Sequence, residues 1–564
     1  MLTKIKPFLI YLILILAFVL RGFAINSTPS LNPDEAAIGY DTYSLLQTGK
    51  DEHGASWPLH FKSFGDFKPG GYFYLVLPFV KIFGLNELAV RLPNLILSVL
   101  TIFFLFKLVL QISKNKNIAL LSALVLSISP WHIHFSRGGW EASAALSFIV
   151  IGSYFFFKSL EKKITLNFFL FVLFYVCSLY IYHSARLIAP LLALSFISFN
   201  YKYLIKNIKK IIIPIVIGVI IVMPVLFSFL KNGGTTRFGG VGITADPGPR
   251  SRAEELLNQH HNTKLINRIT HNQRVLYLIS WGEKYSSHFD LNFLFLNGDE
   301  VPRSKVPDMG QLYLIEIIFL ISGLFFIITK EFNPQFKAII IAWTLISPIA
   351  SSLTFQAPSA LRSLPMVIPL SIIIATGIYE IFSLIPKKIK IIFILITTIS
   401  YIYSLFYYLD AYYIHYPKRF ASAWSYGFPQ LVKYTEEEKY KYDNVYITDK
   451  YDQPYIMFLF YSKYNPSLIQ KEIQLTKPDQ YGFSTVRHYN KYTFTKIDWA
   501  SIPTNSLVVT SDEPVPISPI QTINFPNNKP AFNIYIKKVT QFTYKFYYSL
   551  NIVEIYIHND YLNA

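Results

Sequence analysis

The sequence predicts a polytopic α-helical membrane protein with a small C-terminal domain outside the membrane. Hydrophobic residues make up 52% of the 564 residues, charged residues only 15%, and the mean hydropathy is +0.35. Soluble domains carry about 25% charged residues. The charge is missing from long apolar runs, such as 166–182 and 391–409. A helix needs about 20 apolar residues to cross the hydrocarbon core, and soluble proteins do not contain such runs in series.

The apolar runs predict about eleven membrane-spanning helices. The predicted spans are 7–25, 88–111, 118–134, 141–159, 165–182, 184–199, 211–230, 311–329, 337–354, 361–384 and 390–410. The first run follows Lys4 and Lys6 as in a signal peptide, but it is as long as a span and no cleavage site of small residues is evident. We therefore interpret it as a retained signal anchor.

Every second loop between the predicted spans is short and basic. These loops contain Lys114, Lys116, Lys162, Lys163, Lys202, Lys206, Lys209, Lys210, Lys330, Lys337, Lys387, Lys388 and Lys390. Short lysine-rich loops stay in the cytoplasm, so the pattern predicts a multi-pass plasma membrane protein with a cytoplasmic N-terminus. An odd number of spans then places the C-terminal region outside. Because orientation accounts for the net charge of +18, nucleic acid is not an expected partner, whereas membrane lipids are.

Two domains are predicted, a membrane domain at residues 1–410 and an extracytoplasmic domain at residues 411–564. Alternating patterns at 445–448 and 533–536 predict strands, so the second domain is expected to be α/β or mostly β. Cys177 is the only cysteine, which excludes an intramolecular disulfide.

The membrane domain is expected to carry two long outer loops, 26–87 and 231–310. The first contains a semi-apolar stretch, 72–83, which is too short to span and is expected to lie at the interface or to re-enter. The second opens with a glycine-rich stretch at 233–240 and continues with a polar helical segment near 251–280.

The first candidate catalytic residues are Asp34 and Glu35, just beyond the first span. Side chains at i and i+1 of a helix point in different directions, so the two carboxylates are not an equivalent pair. One is placed to face a cleft as a general base while the other orients it or binds a cation. Pro33 before them also fits a plain helix start, with Asp34 in the first turn favouring the helix dipole, and the residues alone leave both readings open.

Further polar candidates follow in the next outer segments. Lys68 and Tyr72 flank a Pro-Gly-Gly turn, which fits either a site loop or an interfacial aromatic anchor. His132, Arg137 and Glu141 lie between two spans, and Arg137 and Glu141 are spaced to pair on one helix face. A charged pair near membrane depth is costly unless it is satisfied, so it is usually functional or buried in a cavity.

Two more arginines are candidates for binding an anion. Arg303 lies in the second outer loop, and Arg362 begins a span on the outer side. An arginine at a helix N-terminus suits a phosphate, although a snorkelling arginine explains the same position. Acidic groups, aromatics and arginines thus converge on one membrane face, as an anionic lipid head and a hydroxyl acceptor would require. A transporter or pore would need charges near mid-membrane.

This ordered set of motifs resembles the family 39-like GT-C glycosyltransferases, which include protein O-mannosyltransferases and the aminoarabinose transferases acting on lipid A. The resemblance covers about residues 5–410. It is carried by Pro33-Asp34-Glu35, Lys68-Pro69-Gly70-Gly71-Tyr72, Ser129-Pro130-Trp131-His132 with Ser136-Arg137, and Ala360-Leu361-Arg362.

The resemblance implies an inverting transfer from a polyprenyl-phosphate-linked sugar at the outer face. Asp34 then corresponds to the general base, and Glu35 positions the base or the acceptor. Arg137, Arg303 and Arg362 are implied to hold the lipid phosphate, with Glu141 orienting Arg137; Lys68, Tyr72 and His132 belong to the substrate-binding motifs.

The chain departs from the family at Ser304, where a histidine is expected, which puts the role of that loop in doubt. The acceptor is left open between a lipid, a glycan and a protein. No cluster has convincing metal-ligand spacing, no cofactor is expected, and a divalent metal requirement is left open. Two alternatives are a transporter or flippase for a lipid-linked saccharide, and a polysaccharide ligase or polymerase.

Overall fold

The structure is a computed structural model that describes residues 8–231, 240–259, 269–479 and 482–538. Lys4, Lys6 and most of the glycine-rich stretch at 233–240 lie outside the described residues, as does part of the helical segment predicted near 251–280.

Helices dominate the chain up to residue 419. In chain order they are α1 (Leu9–Gly22), α2 (Pro33–Thr48), α3 (Gly71–Phe83), α4 (Glu87–Ser113), α5 (Lys116–Ile128), α6 (Pro130–Ser136), α7 (Glu141–Ser159), α8 (Ile164–Ile181), α9 (Ala185–Lys206), α10 (Ile208–Lys231), α11 (Gly248–Gln259), α12 (Gln273–Ser286), α13 (Glu316–Thr329), α14 (Pro334–Ile346), α15 (Val367–Leu384) and α16 (Lys390–Asp410). A short hairpin, β1 (His60–Ser63) and β2 (Asp66–Pro69), precedes α3.

The chain is a multi-pass membrane protein. Among the described residues, seven helices are long and apolar enough to cross a membrane, or eight if the bent pair α5–α6 forms one span. Each of the eleven predicted spans has a helix in the structure, but α1, α13 and α14 have only 14, 14 and 13 residues. The number eleven therefore stays a prediction.

The predicted span 118–134 is broken rather than continuous. α5 and α6 meet at an angle of 58°. Pro130 has no N–H to continue the hydrogen-bond ladder of α5, and the Ser129 hydroxyl caps the new helix by accepting from the N–H of His132. The break turns the chain at the membrane surface that carries the candidate site.

Two glycines allow α13 and α15 to touch backbone to backbone. A Cβ on Gly323 would lie 2.0 Å from the Ile373 carbonyl oxygen, and a Cβ on Gly377 would lie 2.1 Å from that of Phe319. Small residues at helix contacts are the usual means of close packing within a membrane.

The C-terminal region forms an α/β sheet domain, as predicted. The strands are β3 (Asn444–Thr448), β4 (His488–Tyr489), β5 (Tyr492–Thr495), β6 (Ser506–Thr510), β7 (Gln521–Asn524) and β8 (Pro530–Lys537), and their order across the sheet is β4-β5-β3-β6-β8-β7. β3 pairs in parallel with both β5 and β6, and the remaining pairs are antiparallel. The accompanying helices are α17 (Phe428–Glu438), α18 (Pro454–Ser462) and α19 (Pro466–Glu472).

This domain docks on α2 through specific polar contacts. The Tyr40 hydroxyl donates to the Tyr464 carbonyl (2.8 Å), and the Tyr461 hydroxyl donates to the Glu87 carboxylate (2.9 Å). The Gln470 amide donates to the Asp51 carbonyl (2.9 Å). We call the surface of the helical region around α2 and the β1–β2 hairpin, which the sheet domain covers, the docking face.

We expect Gly323→Ala to destabilise the protein by about 1–3 kcal/mol, because the added methyl group has no space against the backbone of α15. Gly282→Ala is the matched control, since it makes the same change within a helix and meets nothing within 4 Å. Thermal unfolding of the two variants in detergent tests the contact, and equal melting temperatures would contradict it.

Candidate active site

The start of α2 is fixed by its own sequence, as the Pro33 signal predicts. The Asn32 side chain accepts from the N–H of Glu35 (3.0 Å), and the Glu35 carboxylate accepts from the N–H of Asn32 (3.2 Å). Pro33 occupies the first helical position. This capping box satisfies two backbone donors that the helix itself leaves unpaired.

Glu35 is a buried anchor of the fold. Its side chain is 1% exposed, and its two oxygens accept hydrogen bonds from Arg91 Nε (2.7 Å) and Nη2 (2.8 Å). The Gly139 N–H also donates to Glu35 (2.8 Å). The same arginine donates to the carbonyls of Ile25, Pro29 and Ser30. The segment between α1 and α2, α2 itself, α4 and the segment before α7 therefore meet at this pair. A buried bidentate pair with all these bonds fixes position rather than binding a substrate.

Asp34 points away from this anchor. Its side chain is 39% exposed, and Lys68 Nζ lies 2.5 Å from its Oδ1. Lys68 is held on β2, where it pairs with Phe61, and its Nζ lies 5.2 Å from the centre of the Phe64 ring. Of the two adjacent carboxylates, Asp34 is therefore the one that a substrate can reach.

Two further charged residues lie around this pair, and one of them is absent from the sequence-based candidates. Arg303 sits in a short helical turn, and its carbonyl accepts from His134 Nε2 (2.8 Å). Asp452 comes from the loop between β3 and α18. Burial raises its pKa, as does the neighbouring Asp34, whereas the nearby Arg303 and Lys68 counteract the shift. Asp34, Lys68, Arg303 and Asp452 thus form one charged group at the docking face.

Three predicted substrate-binding residues are buried with other partners. Tyr72 donates to the Val90 carbonyl (2.9 Å), and His132 Nδ1 accepts from Arg21 (2.7 Å). The Arg137 guanidinium is fully buried and donates four hydrogen bonds, to the carbonyls of Leu20, Arg21, Phe23 and Thr28. The sequence spacing predicted that Arg137 pairs with Glu141, and the family resemblance implied that it holds a phosphate, but the terminal N–H groups of Arg137 are already used by the backbone. Glu141 begins α7, near Tyr72.

Arg362 lies at an apolar recess. Its guanidinium donates to the Gln356 carbonyl (3.3 Å) and, at 3.5 Å, to the Thr354 hydroxyl. The lining of the recess includes Ala142, Leu146, Tyr182, Ala185, Arg362 and Pro365. Arg362 is its only charged lining residue.

Asp299 connects the loop of Arg303 to the turn of Arg362. Its carboxylate accepts from the N–H of Val301 (2.8 Å) and from the N–H of Ala360 (2.7 Å). Burial raises the pKa of Asp299. The two arginines are therefore held at fixed positions by one buried carboxylate, which the sequence did not single out. Within the described ranges, no three His, Cys, Asp or Glu side chains are arranged to hold a metal ion.

We expect Glu35→Gln to lower the free energy of unfolding by about 3–5 kcal/mol, because it leaves the buried Arg91 without a counter-charge. Asp34→Asn, next to it, removes a half-exposed pair worth only about 0–1 kcal/mol and is the matched control. Thermal unfolding measures both, and a Glu35→Gln variant that melts like the wild type would show that Glu35 is not an anchor. In a double-mutant cycle, Arg91→Met should restore part of the loss.

Comparison with known proteins gives one partial match in sequence and several in structure. An uncharacterized protein of Aquifex aeolicus (strain VF5) is 28% identical over 158 residues, 28% of this chain and 30% of the relative. Similar solved structures include ArnT from Cupriavidus metallidurans bound to undecaprenyl phosphate, with 9% identity, 82% of this chain and 85% of that chain covered, and a TM-score of 0.48. The Archaeoglobus fulgidus oligosaccharyltransferase in complex with Zn and sulfate has 12% identity, 80% and 61% coverage, and a TM-score of 0.49.

Residues 68–227 match the family described as dolichyl-phosphate-mannose-protein mannosyltransferase. The match begins at Lys68 and ends in α10, so it contains the Lys68–Tyr72 and Ser129–Arg137 motifs of the resemblance, whereas Pro33-Asp34-Glu35 and Ala360-Leu361-Arg362 lie outside it. Residues 68–227 are therefore similar to the dolichyl-phosphate-mannose-protein mannosyltransferases, and over this segment the predicted resemblance to GT-C glycosyltransferases is confirmed.

Proposed function

We propose that this protein is a membrane glycosyltransferase that moves a sugar from a polyprenyl-phosphate-linked donor to a hydroxyl acceptor at the docking face. The observation that carries the proposal is the accessible carboxylate of Asp34, which pairs with Lys68 at the surface of a bundle of membrane-spanning helices. Asp34, Lys68 and the cation Arg303 all act electrostatically on Asp452. A base beside two cations at a membrane surface suits a reaction in which an anionic lipid phosphate leaves.

The donor class is supported by the family match and by the recess at Arg362. The family takes its name from a dolichyl-phosphate sugar, and its match to this chain begins at Lys68. An arginine binds a phosphate through several N–H groups, and an apolar lining suits a prenyl chain. The recess beside Arg362 offers both. We assign the lipid phosphate to the cations Lys68, Arg303 and Arg362, and the prenyl chain to the apolar lining.

The geometry supports a single inverting displacement. The Asp34 carboxylate takes the proton of the acceptor hydroxyl while the oxygen of that hydroxyl attacks the anomeric carbon. The bond from that carbon to the phosphate oxygen breaks, and the electron pair leaves with the polyprenyl phosphate. General base catalysis of this kind contributes about 10²–10⁴-fold.

Lys68 has two roles in this scheme. In the structure the Lys68 ammonium pairs with the Asp34 carboxylate. When a lipid phosphate binds, the Lys68 ammonium has a second anion to bind. A shift of Lys68 toward the phosphate strengthens Asp34 as a proton acceptor, because an opposite charge has moved away from the carboxylate. Binding of the donor would thereby activate the base.

We further propose that the docking face is extracytoplasmic and the N-terminus cytoplasmic. α4 starts beside the Glu35–Arg91 anchor and ends at Ser113, about 40 Å away at 1.5 Å per residue. The ion pair of Lys114 with Glu161 lies beyond that far end, where lysine-rich loops are expected to stay in the cytoplasm.

We expect Asp34→Asn to abolish transfer from a panel of radiolabelled polyprenyl-phosphate sugars by purified protein in lipid, because the amide cannot accept the proton. Asp34→Glu, which keeps the charge but moves it by one methylene, should also lose most activity. Asp66→Asn, on the β1–β2 hairpin that carries Lys68, should keep it. Wild-type turnover in Asp34→Asn would show that Asp34 is not the base. No turnover by folded wild-type protein with any donor, using membrane extract as acceptor, would favour the transporter alternative.

The orientation predicts opposite labelling of two introduced cysteines. In a Cys177→Ser background, Asp512→Cys in the sheet domain should react with a membrane-impermeant maleimide on intact cells, and Lys162→Cys should react only after the membrane is opened. Cys177 is the only native cysteine, so the background carries no other thiol. The reverse pattern would invert the proposed orientation.

A further inference from the structure

The loop that carries Asp452 lies at the topological switch point of the C-terminal sheet. β3 is flanked by β5 on one side and β6 on the other, in parallel with both. From β3 the chain continues to β5 on one side, and from β5 it crosses back to β6 on the other side. In open α/β sheets with parallel strands, ligands bind outside the carboxyl ends of the strands at such a point. Asp452 follows the carboxyl end of β3 by four residues.

This loop is attached to the hairpin that holds Lys68. The Gln453 amide donates to the Ser484 carbonyl (3.2 Å), and the Ser484 N–H donates to the Phe64 carbonyl (2.8 Å). The ring of Tyr455 meets the ring of Phe64 edge to face at 6.2 Å between centres. Because Phe64 lies beneath the Lys68 ammonium, the carboxyl edge of the sheet faces the Asp34 group directly.

Asp452 has no structural task that explains its position. It accepts no hydrogen bond and forms no ion pair within the part of the chain that the structure describes. It does not cap α18, whose N-cap is Gln453 without a side-chain bond. Its side chain is solvent-accessible, yet burial and Asp34 both raise its pKa, a combination expected of a group on the wall of a cleft. A carboxylate held beside another carboxylate costs free energy that a ligand can recover.

We propose that Asp452 is a specificity-determining residue of the transfer site and accepts hydrogen bonds from the hydroxyl groups of a sugar ring bound between the sheet domain and Asp34. The proposal rests on the proposed function and adds the C-terminal domain to the site. The ring belongs either to the donor or to a glycan acceptor, since both present the same hydroxyl chemistry to the carboxylate.

The test uses Asp452→Asn and Asp452→Ala in the full chain, with the panel of lipid-linked donors. We expect kcat/KM to fall about 10- to 100-fold, the usual effect of losing hydrogen bonds to a charged group. The affinity for polyprenyl phosphate without a sugar and the melting temperature should stay at wild-type values. Asp512→Asn is the matched control, because that exposed carboxylate pairs with Lys450 at the same edge of the sheet.

Two reactions, measured separately, show whether the sugar ring belongs to the donor or to the acceptor. If Asp452 binds the donor sugar, the variants slow hydrolysis of the donor, in which water takes the place of the acceptor, as well as transfer to the acceptor. If Asp452 binds the acceptor glycan, only the KM for the acceptor rises. Either result supports the proposal.

Three results would overturn the proposal while leaving the proposed function intact. They are wild-type kinetics in Asp452→Ala, an equal loss in Asp512→Asn, and a loss of activity that is matched by a lower melting temperature or weaker binding of polyprenyl phosphate. Inactivity of the folded wild-type protein with every donor would overturn the proposed function and this inference with it.

Discussion

The site depends on one buried ion pair, Glu35 with Arg91. A charge pair inside a protein is tolerated only when its donors and acceptors are satisfied, and here the backbone of two segments adds hydrogen bonds to the pair. The pair fixes the rotation of α2 about its axis. Because adjacent side chains on a helix diverge, the buried position of Glu35 directs Asp34 toward the solvent and Lys68. The anchor thereby separates a buried structural carboxylate from an accessible one.

A second constraint is the arrangement of arginines at the membrane surface. Arg21 and Arg137 are buried and bound to main-chain carbonyls at the end of α1 and at the α5–α6 break. They satisfy carbonyl groups that a broken helix leaves open, in a region where water cannot do so. Arg303 and Arg362, by contrast, are only partly buried and are positioned through Asp299. The same residue type thus closes the helical framework and, in the proposed site, supplies cations for a lipid phosphate.

The sheet domain contributes a residue, Asp452, to the proposed site. Its α18 packs against α2, and its hydrogen bonds to the first long loop hold the carboxyl edge of the sheet above the β1–β2 hairpin. A sugar bound at Asp34 would therefore lie between a membrane domain that supplies the base and cations and a surface domain that supplies Asp452. This division suits a transferase whose donor arrives within the membrane and whose acceptor arrives from the solvent.

The sequence alone determined the membrane class, the positions of the helices, the start of α2 at Pro33 and the strands at 445–448 and 533–536, because these follow from local composition, periodicity and capping. It also located Asp34, Lys68 and Arg303. Only the tertiary structure decided that Glu35 and Arg137 are buried anchors, since their partners, Arg91 and the carbonyls near Phe23, are remote in sequence. Asp452 could not be found from the sequence, because a single carboxylate after a strand has no pattern, and its meaning comes from docking against Asp34. Local sequence determines the secondary-structure elements, and long-range contacts determine which charged residues are buried and which are accessible.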